Sequence, residues 1–196
     1  MEYLIYIYIS VAAVTFLPVL KVLIWGVKLH DGGQSFRESV GFSDKAKVQL
    51  EQHYSRIQGT LRFWKCKAVS YTRFHYYCMT WTLISSWLVP LISVYSDQII
   101  NGKWLVVAIS SHVALSLSFY RGFNVSENMK VFRHGESEFY DLYRRLLDCP
   151  GELGANETEQ IDEYFKRAEL IRRYIRNAET WNFPSLDDMI GKMKIK

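Results

Sequence analysis

Three long stretches of the chain contain no charged residue, and they constrain its fold more than any other feature. They are Tyr3–Leu20, Phe74–Ser96 and Trp104–Tyr120, of 18, 23 and 17 residues. As α-helices they would be roughly 27, 34 and 25 Å long, against a hydrocarbon core of about 30 Å. The second could cross a bilayer alone, the first needs Val22–Val27, and the third needs its aromatic ends. We therefore expect an all-α membrane protein with three transmembrane helices.

Aromatic residues flank all three stretches, as they do in the interface belts of membrane helices. They are Tyr3, Tyr6, Tyr8, Phe74, Tyr76, Tyr77, Tyr95, Trp104, Phe119 and Tyr120. These belts favour membrane crossings over the alternative of buried helices in a soluble bundle. The first stretch also differs from a signal peptide, because no basic region precedes it and no Ala-x-Ala-like site follows. We expect residues 1–28 to form a retained transmembrane helix.

The distribution of Lys and Arg predicts the orientation of the crossings. Nine lie in Lys28–Arg73 and thirteen in Arg121–Lys196, whereas the link Asp97–Lys103 carries one. We therefore expect the N-terminus and this link outside the cell, and both longer segments in the cytosol.

Two seams of mainly apolar residues, at alternating steps of four and three, adjoin the second and third stretches. One leads into the second stretch through Leu50, Tyr54, Ile57, Leu61, Trp64, Ala68, Tyr71, His75 and Cys78. The other follows the third through Val125, Met129, Phe132, Glu136, Phe139, Tyr143 and Leu146. This heptad spacing predicts paired helices. Over residues 29–149 we expect a transmembrane hairpin that continues into a cytosolic antiparallel coiled-coil stalk.

The seams hold more large aromatic side chains than a two-helix stalk can bury, which indicates further contacts with other helices or subunits. The candidates for coupling through the stalk are Tyr54, Trp64, Tyr71, Phe132 and Phe139. Ser43 is a suitable N-cap for the first stalk helix. After Pro150-Gly151, residues 150–196 are expected to form a cytosolic amphipathic helix, from about Asn156 to Thr180, and a tail.

The sequence contains no motif for nucleophilic catalysis, phosphate binding or dinucleotide binding. Only His75 with Cys78, and His134 with Glu138, have a helical ligand spacing, and two isolated pairs do not make a metal site. We therefore expect no enzymatic activity, no metal and no cofactor. The segment after the third stretch balances thirteen Lys/Arg with fourteen Asp/Glu, so direct nucleic-acid binding is not expected.

Polar residues within the second and third stretches allow two interpretations. The candidates for pore lining or gating are Thr82, Ser86, Ser93, Ser111, His112 and Ser118. An ionisable group near mid-membrane normally faces a bundle interior or a wet cavity, which would suit a gate at His112. Alternatively, the hydroxyl residues allow close helix packing and bond their own backbone, while His112 is a neutral imidazole bonded to a neighbouring helix.

The chain resembles the SLATT group of bacterial two-transmembrane proteins over roughly residues 45 to 180. The resemblance rests on Tyr54-Ser-Arg56-Ile57, Trp64-Lys-Cys-Lys-Ala68, the two crossings, and a returning helix with Arg133 and Tyr140. It implies an effector of anti-phage defence that oligomerises into a pore and works with a nucleotide-synthesising or nucleotide-sensing protein. The chain departs from that group by its first crossing, which could line, plug or surround a pore.

These features together lead us to expect a homo-oligomeric, multi-pass effector of bacterial abortive infection in the inner (plasma) membrane. It would be a gated pore or channel controlled by a cytosolic partner or its product. One alternative is a non-conducting scaffold that tethers a cytosolic enzyme and depends on the tail Trp181–Lys196. Another is a constitutive ion channel resembling mitochondrial calcium uniporters, although Asp97 stands alone where those proteins carry paired carboxylates.

Overall fold

The computed structural model describes residues 3–29, 35–39, 41–95 and 102–182, and within these ranges the chain is helical and has no strand. It contains the α-helices α1 (Tyr3–Trp25), α2 (Asp44–Val94), α3 (Gly102–Gly122), α4 (Val125–Asp148) and α5 (Glu157–Asn182). Short 3-10 turns cover Phe36–Glu38 and Pro150–Glu152. The prediction of an all-helical chain is confirmed.

Three of the helices, α1, α2 and α3, are long and apolar enough to cross a membrane. Large apolar side chains lie exposed on all three, among them Leu23, Trp87 and Trp104, as lipid contact requires. Three candidate crossings are therefore confirmed. Residues 96–101 of the link between the second and third, with Asp97, lie outside the described residues, as does the tail beyond residue 182.

The helices α2 and α5 begin with side-chain caps. Ser43 Oγ accepts a hydrogen bond from the backbone N–H of Ala46 at 3.3 Å, so the predicted N-cap of α2 is confirmed. At α5, Asn156 Oδ1 accepts from the N–H of Glu159 at 3.0 Å. The Glu159 carboxylate in turn accepts from the N–H of Ala155 at 2.9 Å, which is a reciprocal capping arrangement.

The helices α2 and α3 differ in how they leave the apolar region. Over its 51 residues α2 passes through Gly59 and Pro90 without interruption. The returning seam does not continue α3, because α3 ends at Gly122 and α4 begins at Val125. Asn124 between them has a φ of 44°, a left-handed conformation that Asn tolerates better than most residues.

The chain divides into two compact units. The first consists of Met1–Gly26 and Val69–Glu127, and the second of Val27–Ala68 and Asn128–Lys196. The segment boundaries expected from the sequence, 1–28, 29–149 and 150–196, stay a prediction.

The core of the second unit is aromatic. Phe36, Phe132, Phe139 and Tyr164 are almost completely buried. The ring of Phe36 lies 4.6 Å from that of Tyr143 and 6.1 Å from that of Tyr164, measured between centroids. A single 3-10 turn therefore inserts its aromatic residue among α2, α4 and α5.

Candidate membrane site

A half-buried histidine of the first unit is hydrogen-bonded to two tyrosines from two other helices. His112 of α3 has its Nδ1 2.6 Å from the hydroxyl of Tyr8 in α1. Its Nε2 lies 2.8 Å from the hydroxyl of Tyr77 in α2. Both ring nitrogens are thus engaged, and the three candidate membrane helices meet at one side chain.

One proton assignment satisfies both ring nitrogens of His112. In it the Tyr77 hydroxyl donates to the backbone carbonyl of Ala12 at 3.4 Å and accepts from His112. His112 then donates from Nε2, and its Nδ1 accepts the proton of Tyr8. In this arrangement both nitrogens of a neutral imidazole form hydrogen bonds, one as a donor and the other as an acceptor.

An indole and a threonine complete the network. The Trp81 ring lies edge-on to His112 at 5.3 Å and to Tyr8 at 5.2 Å. Its Nε1 donates to Thr15 Oγ1 at 3.1 Å. Thr15 in turn donates to the carbonyl of Val11 at 2.8 Å, so each of these polar groups in the apolar region has a partner. The network can hold α1, α2 and α3 in register.

The other predicted pore residues behave differently from His112. The hydroxyls of Thr82, Ser86 and Ser93 donate to the carbonyls of Cys78, Leu83 and Val89 in their own helix, each at 2.7 Å. Ser118 likewise donates to the carbonyl of Ala114 at 2.8 Å. Ser86, Ser93, Ser111 and Ser118 are exposed and Thr82 is half-buried. Within the described part of the chain, His112 is therefore the one member of the six whose side chain bonds another helix.

The predicted coupling residues fall in both units. Trp64, Phe132 and Phe139 are buried in the second unit. Tyr54 is half-buried there, with its ring centroid 5.3 Å from that of Tyr143. Tyr71 belongs to the first unit and is half-buried. The structure therefore brings four of the five into one core but groups Tyr71 with the membrane helices.

Sequence reasoning assigned Tyr8 and Tyr77 to interface belts and missed their bonds to His112. It also missed Phe36 and Tyr164, which are central to the second unit. Tyr164 follows Ile161 by three residues and precedes Ala168 by four, so its position on the apolar face of α5 could have been recognised. Phe36 stands in a short polar segment that gives no comparable periodic signal.

Burial changes the ionisation of several groups in the second unit. It is the main cause that raises the pKa of Tyr143 to about 12, and it also raises the pKa of Tyr164. Burial, assisted by the charge of Arg56 and opposed by Glu169, lowers the pKa of His53. With these pKa shifts, Tyr143, Tyr164 and His53 are uncharged near neutral pH, which suits residues packed in an aromatic core.

Among the residues that the structure describes, no group of three or more His, Cys, Asp or Glu side chains could hold a metal ion. His134 lies 3.7 Å from Glu138 as an exposed pair within α4.

Comparison with protein-family models, curated proteins and solved structures finds no match to this chain.

Proposed function

We propose that this chain is a homo-oligomeric membrane effector of bacterial abortive infection, with a pore that a cytosolic partner or its product controls. The observation that carries the proposal is the uninterrupted helix α2, which joins the polar sequence after Asp44 to the apolar sequence before Val94. A continuous helix can pass a rotation or displacement from a partner at one end to the membrane segment at the other. The likeness to the SLATT group supports the same assignment.

The order of contacts along α2 supports a transmembrane hairpin with an antiparallel stalk. In the first unit His75 lies 2.8 Å from Tyr120, and Tyr77 lies 2.8 Å from His112. In the second unit Tyr54 contacts Tyr143, and Lys65 pairs with Glu136 at 3.8 Å. Between the two pairs of each unit the partner's number falls as the α2 number rises. Cys78, whose Sγ lies 3.8 Å from the carbonyl oxygen of Ser116, follows the same order relative to His75, as antiparallel neighbours require.

A pore would need several copies, because α1, α2 and α3 of one chain are joined directly to one another through His112. The exposed hydroxyl residues Ser86, Ser93, Ser111 and Ser118 are available to face such a channel in an assembly. In the proposed orientation, the N-terminus is outside the bacterial inner membrane and the basic segments Lys28–Arg73 and Arg121–Lys196 are in the cytosol.

A non-conducting scaffold is the second candidate, and one observation favours it. His112 is fully hydrogen-bonded inside one chain, and four of the predicted pore hydroxyls return their protons to their own backbone. Such bonds are typical of packing residues in membrane helices. A scaffold would need the same helices but would tolerate apolar residues at the hydroxyl positions.

A membrane-potential dye distinguishes the candidates in cells that carry the chain with its genomic neighbours. The pore proposal expects rapid depolarisation when the system is triggered. The same proposal expects Ser118→Val to slow this depolarisation several-fold. In the assembled channel, valine side chains from all subunits would then replace the serine hydroxyls at this level. Leu117→Val is the matched control, since Leu117 is an exposed neighbour on the same helix.

The remaining outcomes decide against the proposal. The chain is a scaffold if the membrane potential stays unchanged on triggering and if a cytosolic enzyme no longer binds the membrane when residues 183–196 are removed. Depolarisation by the chain alone, without neighbours or trigger, identifies a constitutive channel.

A further inference from the structure

An open groove of about 380 Å³ runs between α1 and α2 in the first unit. Val11, Pro18 and Val19 line it from α1, and Tyr76, Trp81 and Ile84 line it from α2. The surface of the groove is mostly apolar. Because both helices are candidate membrane crossings, the groove would open towards the acyl chains of the bilayer.

Three polar side chains in the wall of the groove, Trp81, Thr15 and Tyr77, already have partners. Trp81 Nε1 donates to Thr15 Oγ1, and Thr15 donates to the carbonyl of Val11. The Tyr77 hydroxyl bonds His112 and the carbonyl of Ala12. A peptide segment placed here would find few partners for its backbone N–H and C=O groups, whereas an acyl chain needs none.

A cation stands at one end of the groove. Arg73 is exposed, and its Nη1 donates to the backbone carbonyl of Pro18 at 2.8 Å, which holds the guanidinium between the two helices. A guanidinium has five N–H donors, so four remain for another acceptor. No carboxylate in the described part of the chain forms an ion pair with Arg73.

The length of the groove matches one leaflet of a bilayer. From Arg73 to Ile84 the helix rises about 16 Å, at 1.5 Å per residue. Half of a hydrocarbon core of about 30 Å is about 15 Å. With Arg73 at the level of the headgroups, the groove would end near the middle of the membrane.

We propose that this groove binds one anionic phospholipid, with its phosphate on Arg73 and an acyl chain along α1 and α2. Arg forms bidentate, charge-assisted hydrogen bonds with phosphate oxygens, and the groove supplies apolar contact below them. This inference does not depend on the pore, since a scaffold would have the same groove.

Native mass spectrometry of the full-length protein, released from detergent with added phosphatidylglycerol or phosphatidylcholine of identical acyl chains, tests the headgroup contact. We expect one phosphatidylglycerol to be retained preferentially for each chain. Arg73→Gln should weaken this retention roughly tenfold, as loss of one charge-assisted bond does. Arg121→Gln is the control, because Arg121 is an exposed cation in the last turn of α3 and does not line the groove.

A second pair of variants tests the groove itself. Val11 and Val14 are both exposed on α1, but only Val11 lines the groove. Val11→Phe should reduce the retention of both lipids, and Val14→Phe should leave it unchanged. The proposal is wrong if Arg73→Gln and Val11→Phe both retain phosphatidylglycerol like the wild type. It is also wrong if Arg121→Gln loses as much lipid as Arg73→Gln, or if Val11→Phe changes the subunit number while the lipid count stays constant.

Discussion

His112 needs hydrogen-bond partners, because an imidazole without partners in the hydrocarbon region would carry a desolvation cost of a few kcal/mol. Tyr8 and Tyr77 remove that cost from opposite sides of the ring. Neither tyrosine is replaceable by phenylalanine without leaving one ring nitrogen unsatisfied. The network is therefore a specific contact between helices in addition to apolar packing.

A double-mutant cycle between Tyr8 and His112 measures this contact. We expect Tyr8→Phe and His112→Phe to be coupled by about 1 kcal/mol in the free energy of unfolding, which is typical of hydrogen bonds between membrane helices. The measurement is SDS-induced unfolding of the purified protein in mixed micelles. Tyr6→Phe with His112→Phe is the control cycle, since Tyr6 is exposed on the same helix. Equal coupling in both cycles would contradict a direct bond to Tyr8.

The partners of His112 could not be predicted from the sequence alone. Tyr6 and Tyr8 are two residues apart in the same apolar run, and nothing in its composition separates an interface residue from an interior one. That distinction depends on the rotation of α1 about its axis, which its neighbours determine. His112 itself was recognisable, because an ionisable residue in an apolar run stands out.

At the scale of elements, the spacing of apolar residues predicted the buried face of α2 well. Leu50, Ile57, Leu61, Trp64 and Ala68 from the seam are all buried. The break between α3 and α4 was not predicted, because the seam begins only at Val125 and its regular spacing gives no sign of an interruption just before it. The local signal was Gly122 followed closely by Asn124, two residues that adopt turn conformations readily.

Gly135 shows how closely α4 and α5 pack in the second unit. A Cβ atom at this position would lie 2.6 Å from Cγ1 of Ile175, and Ile175 is almost completely buried. Glycine in the interior of α4 costs about 1 kcal/mol relative to alanine. The close approach of the two helices is the structural reason that the residue is small here.

We expect Gly135→Ala to lower the free energy of unfolding by about 1–2 kcal/mol, since an overpacking cost of roughly 1–3 kcal/mol exceeds the gain in helix propensity. Thermal or denaturant unfolding in detergent provides the measurement. Gly59→Ala in α2 is the matched control, because its Cβ would meet no atom within 4 Å, and it should stabilise the protein slightly. Ile175→Val should recover part of the loss in the Gly135→Ala background. A stabilising Gly135→Ala would show that the two helices are not in close contact.

At the scale of the whole molecule, the number of crossings determines on which sides of the membrane the two ends lie. Three crossings would place the N-terminus and the C-terminal segment on opposite sides, and the Lys/Arg distribution predicts that the C-terminal segment lies in the cytosol. An even number of crossings would place the N-terminus and the C-terminal segment on the same side. The helix α1 would then lie outside the bilayer.

Thiol labelling tests the number of crossings and the orientation together. Cys149 is exposed in the second unit, and Tyr3 is exposed at the start of α1. In intact spheroplasts, a membrane-impermeant maleimide should leave Cys149 unlabelled and should label Tyr3→Cys introduced into a Cys149→Ser chain. Permeabilisation should expose Cys149, with Cys149→Ser as the control for labelling at the other cysteines. Labelling of Cys149 in intact spheroplasts would reverse the orientation, and equal protection of both sites would mean that α1 does not cross. In that case the bond between Tyr8 and His112 could not lie within the membrane.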